Sequence, residues 1–388
     1  MTEAPLEAER PYPRKSLASF FEASREHRPM SGLDEFMIHN HPHPVRVMWT
    51  GDSQAYERIW FTSQDQTGDL MVTAGTGMYP NLGTAEAFVI VNCRGLHTTV
   101  RAHRKMGDNR MDMTVGPISF EVVQPFREWR IVLAENDHGI SLDLSWFDTK
   151  RPIYRQLGAG VIFGGRPFEG VAGYDGFGRQ EGVVEVAGER FDVTRDQYCG
   201  TRDHHWGVRD GVGGPGMYRG GQHPHSGEWV EFADIGIWGD HLLYNLGDER
   251  KRSGTLRGRE HRLRFEPDTH LLLSGEVDLI HDDGLVQTMT FERMGNQTAY
   301  LRCGMYGGPN GGTPDGDLWH GMAVGDGVVS GETYDTNDPE VRSRICGLDQ
   351  HHARFELEGE VAYGIVEPYD TLCYELAKAD RLGFSLLD

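Results

Sequence analysis

Hydrophobic residues recur at every second position through most of this chain. Val45, Val47 and Trp49 fall at alternate sites, and Ile59 and Phe61 repeat the rhythm, as half-buried strands do. Phe88 to Val91 is an apolar run that ends in turn-forming residues at Asn92 to Gly95. Trp129 to Leu133 and Ile140 to Trp146 flank Asn136-Asp137-His138-Gly139. In the second run Ile140, Leu142, Leu144 and Trp146 share one face while Ser141, Asp143 and Ser145 share the other, which predicts a hairpin with one wet side. The second half repeats the pattern at Trp229 to Trp238, Leu263 to Phe265, Leu271 to Leu273, Glu276 to Ile280 and Val286 to Phe291, with Asp282-Asp283-Gly284 as a hairpin turn. A final strand is expected at Gly364 to Glu367, and helices only at Ser16 to Ser24 and Thr371 to Ala379. Many short strands and few helices predict an all-β protein, a sandwich or a barrel. Barrels of about eight strands can enclose a small-molecule cavity.

Glycine punctuates the pattern. Residues 158 to 182 are rich in it and separate the two strand sets, so a boundary is expected there or just beyond. The expected division is an arm at 1–35, a first unit at 36–190 and a second at 191–388. Glycine loops are expected at Gly304 to Gly316 and Gly325 to Gly331. Gly75 to Gly83 has the outline of a dinucleotide loop, but Pro80 stands where the third glycine belongs and no amphipathic helix follows.

Composition narrows the partners. The chain has 388 residues, and 59 acids against 38 Lys plus Arg give a formal charge of −21, which opposes nucleic acid and anionic membrane surfaces alike. A neutral, apolar small molecule is compatible with it. The five cysteines are scattered and show no CxxC pair, as expected of reduced thiols. With no apolar leader at the N-terminus and no run near the ~20 apolar residues of a membrane span, a soluble cytoplasmic protein without membrane insertion is expected.

The densest chemistry lies in Thr201-Arg202-Asp203-His204-His205-Trp206-Gly207-Val208-Arg209-Asp210, bracketed by glycines on both sides. Two readings stand. Asp203 and Arg209 could form a buried ion pair with Trp206 plugging the core, or the stretch could be a site. A carboxyl or imidazole in an apolar cavity has its charged form disfavoured, so Asp203, His204 or a later carboxylate such as Asp234 could hold a proton near neutral pH. Trp206 could then stabilise a developing carbocation with its ring face. Hydration, dehydration and double-bond migration need little more, and no cofactor. Histidine clusters raise metal binding as an alternative: His39-x-His41-x-His43, and His223-x-His225 with Glu228 and Glu231. Interrupting prolines and the carboxylate spacing argue against both, and no metal ligand is assigned. His351 and His352 would point to opposite faces of a strand. No GxSxG elbow occurs, and Cys199 is expected to be a buried structural thiol.

Arg202 to Gly207, the stretch ending Tyr79-Pro80-Asn81-Leu82-Gly83, and Trp229 to Gly236 together resemble the two-domain lipocalin-like superfamily of carotenoid 1,2-hydratase, kievitone hydratase and AttH-type proteins, among them its bacterial members. The resemblance implies two lipocalin-like antiparallel β-barrels side by side after a short helical arm, the second carrying the Asp-His-x-Trp-Gly motif. It also implies an apolar isoprenoid, aromatic or polyketide-like substrate and no metal or organic cofactor. By the same resemblance His204 and Trp206 match the His-x-Trp of the hydratases, and Phe232-Ala233-Asp234 matches their Tyr-x-Asp, with Phe232 in place of the tyrosine. Tyr218 or Tyr244 could supply the missing hydroxyl. The expected catalytic set is therefore Asp234, His204 and Trp206, supported by Asp203, His205, Arg209, Tyr218, Phe232, Tyr244, Tyr79 and Asn81. The expected activity is that of a lyase (hydratase or dehydratase) or isomerase. A non-catalytic carrier or sensor of an apolar molecule, and a pericyclase of the same fold, are the alternatives.

Overall fold

The computed structural model describes residues 30–40, 43–44, 50–107, 109–149, 151–157, 161–163, 166–168, 171–209, 212–213, 256–266, 272–281, 283–304, 318–346 and 349–366. Strands in chain order are β1 (His39–Asn40), β2 (His43–Pro44), β3 (Ala55–Asp65), β4 (Leu70–Tyr79), β5 (Thr84–Cys93), β6 (Leu96–Lys105), β7 (Thr114–Val115), β8 (Ile118–Gln124), β9 (Glu128–Leu133), β10 (Ile140–Asp148) and β11 (Ile153–Leu157). They continue as β12 (Val161–Phe163), β13 (Arg166–Phe168), β14 (Val171–Val186), β15 (Glu189–Val193), β16 (Tyr198–Val208), β17 (Leu256–Phe265), β18 (Leu272–His281), β19 (Val286–Tyr300), β20 (Val328–Asp335), β21 (Asp349–Leu357) and β22 (Glu360–Val366). A short helix, α1 (Pro339–Ile345), is capped by the Asp338 side chain, which accepts from the Glu340 N–H. The all-β antiparallel class expected from the alternation is the one observed. Among the described residues no helix is long and apolar enough to cross a membrane.

Two curled sheets carry the structure. The larger has 13 strands in the order β20-β6-β5-β4-β3-β16-β14-β10-β9-β8-β7, with β11 and β15 also paired to β14. The smaller runs β17-β18-β19-β21-β22. The concave side of the large sheet is filled by Ile59, Phe61, Trp129, Trp146, Leu144 and Val89, all buried. Trp60, Met71, Phe88 and Ile90 on its other side pack against Ala299, Leu301 and Ile365 of the second half. Strands β3 to β5 are consequently buried on both faces nearly throughout, whereas β10 keeps the wet and dry faces that alternation predicts.

Several elements differ from expectation. Within the glycine-rich stretch, residues 171–186 form β14, the longest strand among the described residues, at the branching point of the large sheet. Its glycines are there because neighbours occupy their side-chain space. A Cβ on Gly178 would lie 2.3 Å from the Trp146 ring, and one on Gly173 would lie 2.1 Å from the His205 ring. The motif strand β16, which the expected division puts in the second unit, pairs with β3 and β14 inside the large sheet. Strand β20 likewise joins that sheet through β6, and part of the expected Gly325–Gly331 loop is this strand, with Gly331 packed on the Thr99 carbonyl. Leu272 to Ile280 is one strand rather than two. The expected elements at Ser16 to Ser24, Val45 to Trp49, Trp229 to Trp238 and Thr371 to Ala379, and the loop residues 305–317, lie outside the described residues.

Candidate functional site

Strand alternation splits the motif. On β16 the side chains of Arg202, His204 and Trp206 enter the concave interior, while Asp203 and His205 face the other side.

The interior half is a closed network. His204 is fully buried; its Nε2 lies 2.9 Å from Glu57 Oε1 and its Nδ1 3.0 Å from the Tyr174 hydroxyl. Glu57 also meets His39 Nδ1, accepts the His39 backbone N–H at 2.8 Å and accepts from Arg110 at 2.9 Å. The other His39 nitrogen, Nε2, lies 2.9 Å from Asp34 Oδ1, and the His39 ring stacks on Trp206 at 3.3 Å between centroids. Arg202 donates to Asp148 at 2.7 Å and to Glu35 at 2.8 Å, and Tyr174 donates to Glu35 at 3.1 Å. Burial pushes Glu57 upward, but the charge of His39 and the hydrogen bonds from His204 and His39 outweigh it and hold the carboxyl at about 2. Burial lowers His204 to about 4, so it is neutral at pH 7. Ionised groups this deep are tolerable only when paired, and these are. A polar groove of about 700 Å³ lined by Met30, Phe126, Arg127, Asp148 and Arg151 borders the network at Asp148.

The outer half is built differently. His205 lies between two carboxylates, its Nε2 3.3 Å from Asp175 Oδ1 and its Nδ1 3.3 Å from Asp203 Oδ2, and its side chain keeps 14% exposure. Arg58 approaches Asp203 at 3.7 Å. Register places Gly173, His205, Arg58, Gly77, Glu86 and His103 in one row across six strands. The two glycines make the row possible, since His205 leans over Gly173 and the Tyr79 hydroxyl crosses over Gly77. Tyr79 donates to Glu86 Oε1, His320 Nδ1 lies 2.6 Å from the same oxygen, and the Gly321 N–H donates to Oε2 at 3.0 Å. Burial raises Glu86 to about 7, against the pull of His103 and of the Tyr79 and Gly321 hydrogen bonds. Burial also holds His320 well below its usual range. The Glu86–His320 contact therefore sets a carboxyl that keeps its proton up to about pH 7 beside a neutral imidazole. Apolar groups flank the row: Trp60 and Phe88 on one side, Tyr56, Tyr79, Leu82 and Val212 on the other.

The residues expected from the sequence thus scatter. His204 and Trp206 belong to the interior network, and Asp203, His205 and Tyr79 to the outer row. Asn81 braces a turn, its amide donating to the Thr50 and Asp52 carbonyls, and Arg209 hydrogen-bonds Tyr56. Of the expected ion pair, Asp203 faces Arg58. Asp234, Tyr218, Phe232 and Tyr244 lie outside the described residues, as do His41, His223, His225, Glu228 and Glu231. His351 and His352, on opposite faces of β21, are both fully buried. Sequence reasoning missed Glu57, Arg58 and Glu86. The available signal was a charged residue inside an otherwise apolar strand, as in Ala85-Glu86-Ala87-Phe88.

No curated protein matches the chain in sequence. Among solved structures it is similar to an AttH-like protein from Nitrosomonas europaea at 12% identity, covering 81% of this chain and 93% of that one with a TM-score of 0.46. It is also similar to kievitone hydratase from Nectria haematococca, at 11% identity over 83% and 92% of the two chains with a TM-score of 0.39. CghA, solved with Sch210972, aligns at 9% identity over 82% and 89% with a TM-score of 0.38. A family pattern matches residues 30–245, more than half of the sequence, and the chain accordingly belongs to the Family of unknown function (DUF8625).

Proposed function

We propose that this protein is an acid–base enzyme, a hydratase, dehydratase or double-bond isomerase, that acts on an apolar small molecule at the outer face of β16, β3, β4 and β5. The observation that carries the reading is the row itself: a carboxyl–imidazole–phenol group at Glu86, His320 and Tyr79 on the same face as the Asp175–His205–Asp203 group, with aromatic residues on both flanks. Three strand spacings of about 4.8 Å separate Glu86 from His205, so the two centres stand about 14 Å apart at the backbone, with Arg58 and Gly77 on the strands between them. In hydration, the neutral Glu86 carboxyl gives its proton to one alkene carbon and the former π pair becomes the new C–H bond. Water attacks the other carbon, and its surplus proton returns to the Glu86 carboxylate. Isomerisation uses the same carboxyl, which adds a proton at one carbon and, as the carboxylate, removes one from a neighbouring position. His204 and Trp206 hold β16 in place in this reading, and Asp234 is retained as the alternative proton donor.

The test is a thermal-shift screen of isoprenoid, aromatic and polyketide-like alkenes, followed by incubation of each hit in deuterated water with product mass spectrometry. Turnover with deuterium gain is expected, abolished in Glu86→Gln while the thermal shift remains. Hits bound tightly by the wild-type protein but recovered unchanged would make it a carrier and overturn the proposal. Loss of turnover in Asp234→Asn but not in Glu86→Gln would reassign the acid.

A further inference from the structure

The interior network gathers two imidazoles on one carboxylate. His39 Nδ1 and His204 Nε2 both reach one point, Glu57 Oε1, and one ligand atom from each of the three residues lies within 4.8 Å of the others. The two imidazoles meet edge to face, 5.1 Å between centroids and 89° between planes, so their nitrogens approach that point from different directions. Each ring's second nitrogen is held from behind, His39 Nε2 by the Asp34 carboxylate at 2.9 Å and His204 Nδ1 by the Tyr174 hydroxyl at 3.0 Å. Glu57 keeps its other oxygen on Arg110 at 2.9 Å. Such outer partners fix the tautomer and aim of metal-ligating histidines.

We infer that His39, His204 and Glu57 form a binding site for one divalent transition metal ion, buried between the N-terminal segment and strands β3 and β16. Two imidazole nitrogens and a carboxylate oxygen suit zinc, manganese or iron of that charge. At metal–ligand distances of about 2.0–2.1 Å, tetrahedral ligands lie about 3.3 Å apart. The 2.9 Å between Glu57 Oε1 and His204 Nε2 needs a few tenths of an ångström of opening, and His39 Nδ1, which stands closer still to the same oxygen, must draw back further to admit an ion. The sequence hinted at a metal through His39-x-His41-x-His43, yet the fold pairs His39 with partners 18 and 165 positions away. All three residues are enclosed, so the ion enters as the chain folds and joins the segment around His39 to the large sheet.

The full chain should be denatured in urea with a chelator and refolded with Zn2+, Mn2+, Fe2+ or no metal. After gel filtration the bound metal and the melting temperature are measured. About one equivalent of one of these ions is expected, with a higher melting temperature than the metal-free sample. Glu57→Gln should lose the ion, while a His223→Ala, His225→Ala double variant should keep it. Because Glu57→Gln could fail to fold, refolding the wild-type chain with Co2+ gives a second readout: visible d–d absorption of a nitrogen- and oxygen-ligated ion, retained in the double variant. Less than a tenth of an equivalent of every metal with no change in melting temperature would overturn the inference. So would loss of the ion in the His223, His225 variant.

Discussion

Glu86→Gln is the sharpest probe of the outer row, because one carboxyl there is asked to stay neutral where carboxyls are usually ionised. Its ordinary titration near 4.5 moves to about 7 in the folded chain, chiefly through burial. One pH unit of displacement corresponds to about 1.4 kcal/mol, so ionising Glu86 within the fold costs on the order of 3 kcal/mol. The sign follows from proton counting. Below pH 4.5 both states hold the proton and nothing is lost; between 4.5 and 7 the unfolded chain releases it while the folded chain does not, so stability falls as pH rises. Above 7 the loss is complete. The amide that Glu86→Gln introduces has no proton to release and escapes this penalty while still accepting from Tyr79. The groups facing the site are Tyr79, His320, His103, the Gly321 N–H and, at longer range, Arg58. Burial lowers both histidines, which makes the fold weaker toward acid in either chain and largely cancels in the comparison. Urea unfolding at pH 5, 6, 7 and 8 should show Glu86→Gln gaining about 2–3 kcal/mol on wild type between the first and last points. Parallel curves, with a difference constant to within about 0.5 kcal/mol, would refute the idea of a proton held on this carboxyl.

Other perturbations separate the two faces of β16. Arg202→Met should cost about 3–5 kcal/mol in urea unfolding at pH 7, since it leaves Asp148 and Glu35 buried without their cation. Gly173→Ala puts a methyl group within 2.1 Å of the His205 ring and 2.4 Å of the His204 carbonyl, so a loss of about 1–3 kcal/mol is expected, with a shifted His205 imidazole resonance in NMR spectra. Arg130→Ala removes an ion pair to Asp143 whose side chains are about half exposed, and solvent screening leaves the melting temperature nearly unchanged.

How far residues alone carried the description depends on the distance over which each feature is decided. The β9–β10 hairpin was legible because its faces differ in solvent and its partner strands are adjacent in sequence; Ile140 to Trp146 alternates as half-wet strands must. In the glycine-rich stretch residue type left turns and close approaches alike, and only the Trp146 and His205 rings crossing Gly178 and Gly173 distinguish them. The motif announced chemistry but not its direction. Only with residues 198–208 paired as β16 between β3 and β14 do His204 and His205 face apart, and that pairing also decides which of them meets the core. Glu57 and Glu86 were invisible as site residues for a related reason: burial and partners, not residue type, set what a carboxyl does. Local pattern therefore determined the all-β class, the turns and the presence of a chemically dense stretch. Which side chains meet across 18, 147 and 234 positions, His39 with Glu57, Glu57 with His204 and Glu86 with His320, was decided by tertiary packing, because strand pairing joins distant segments.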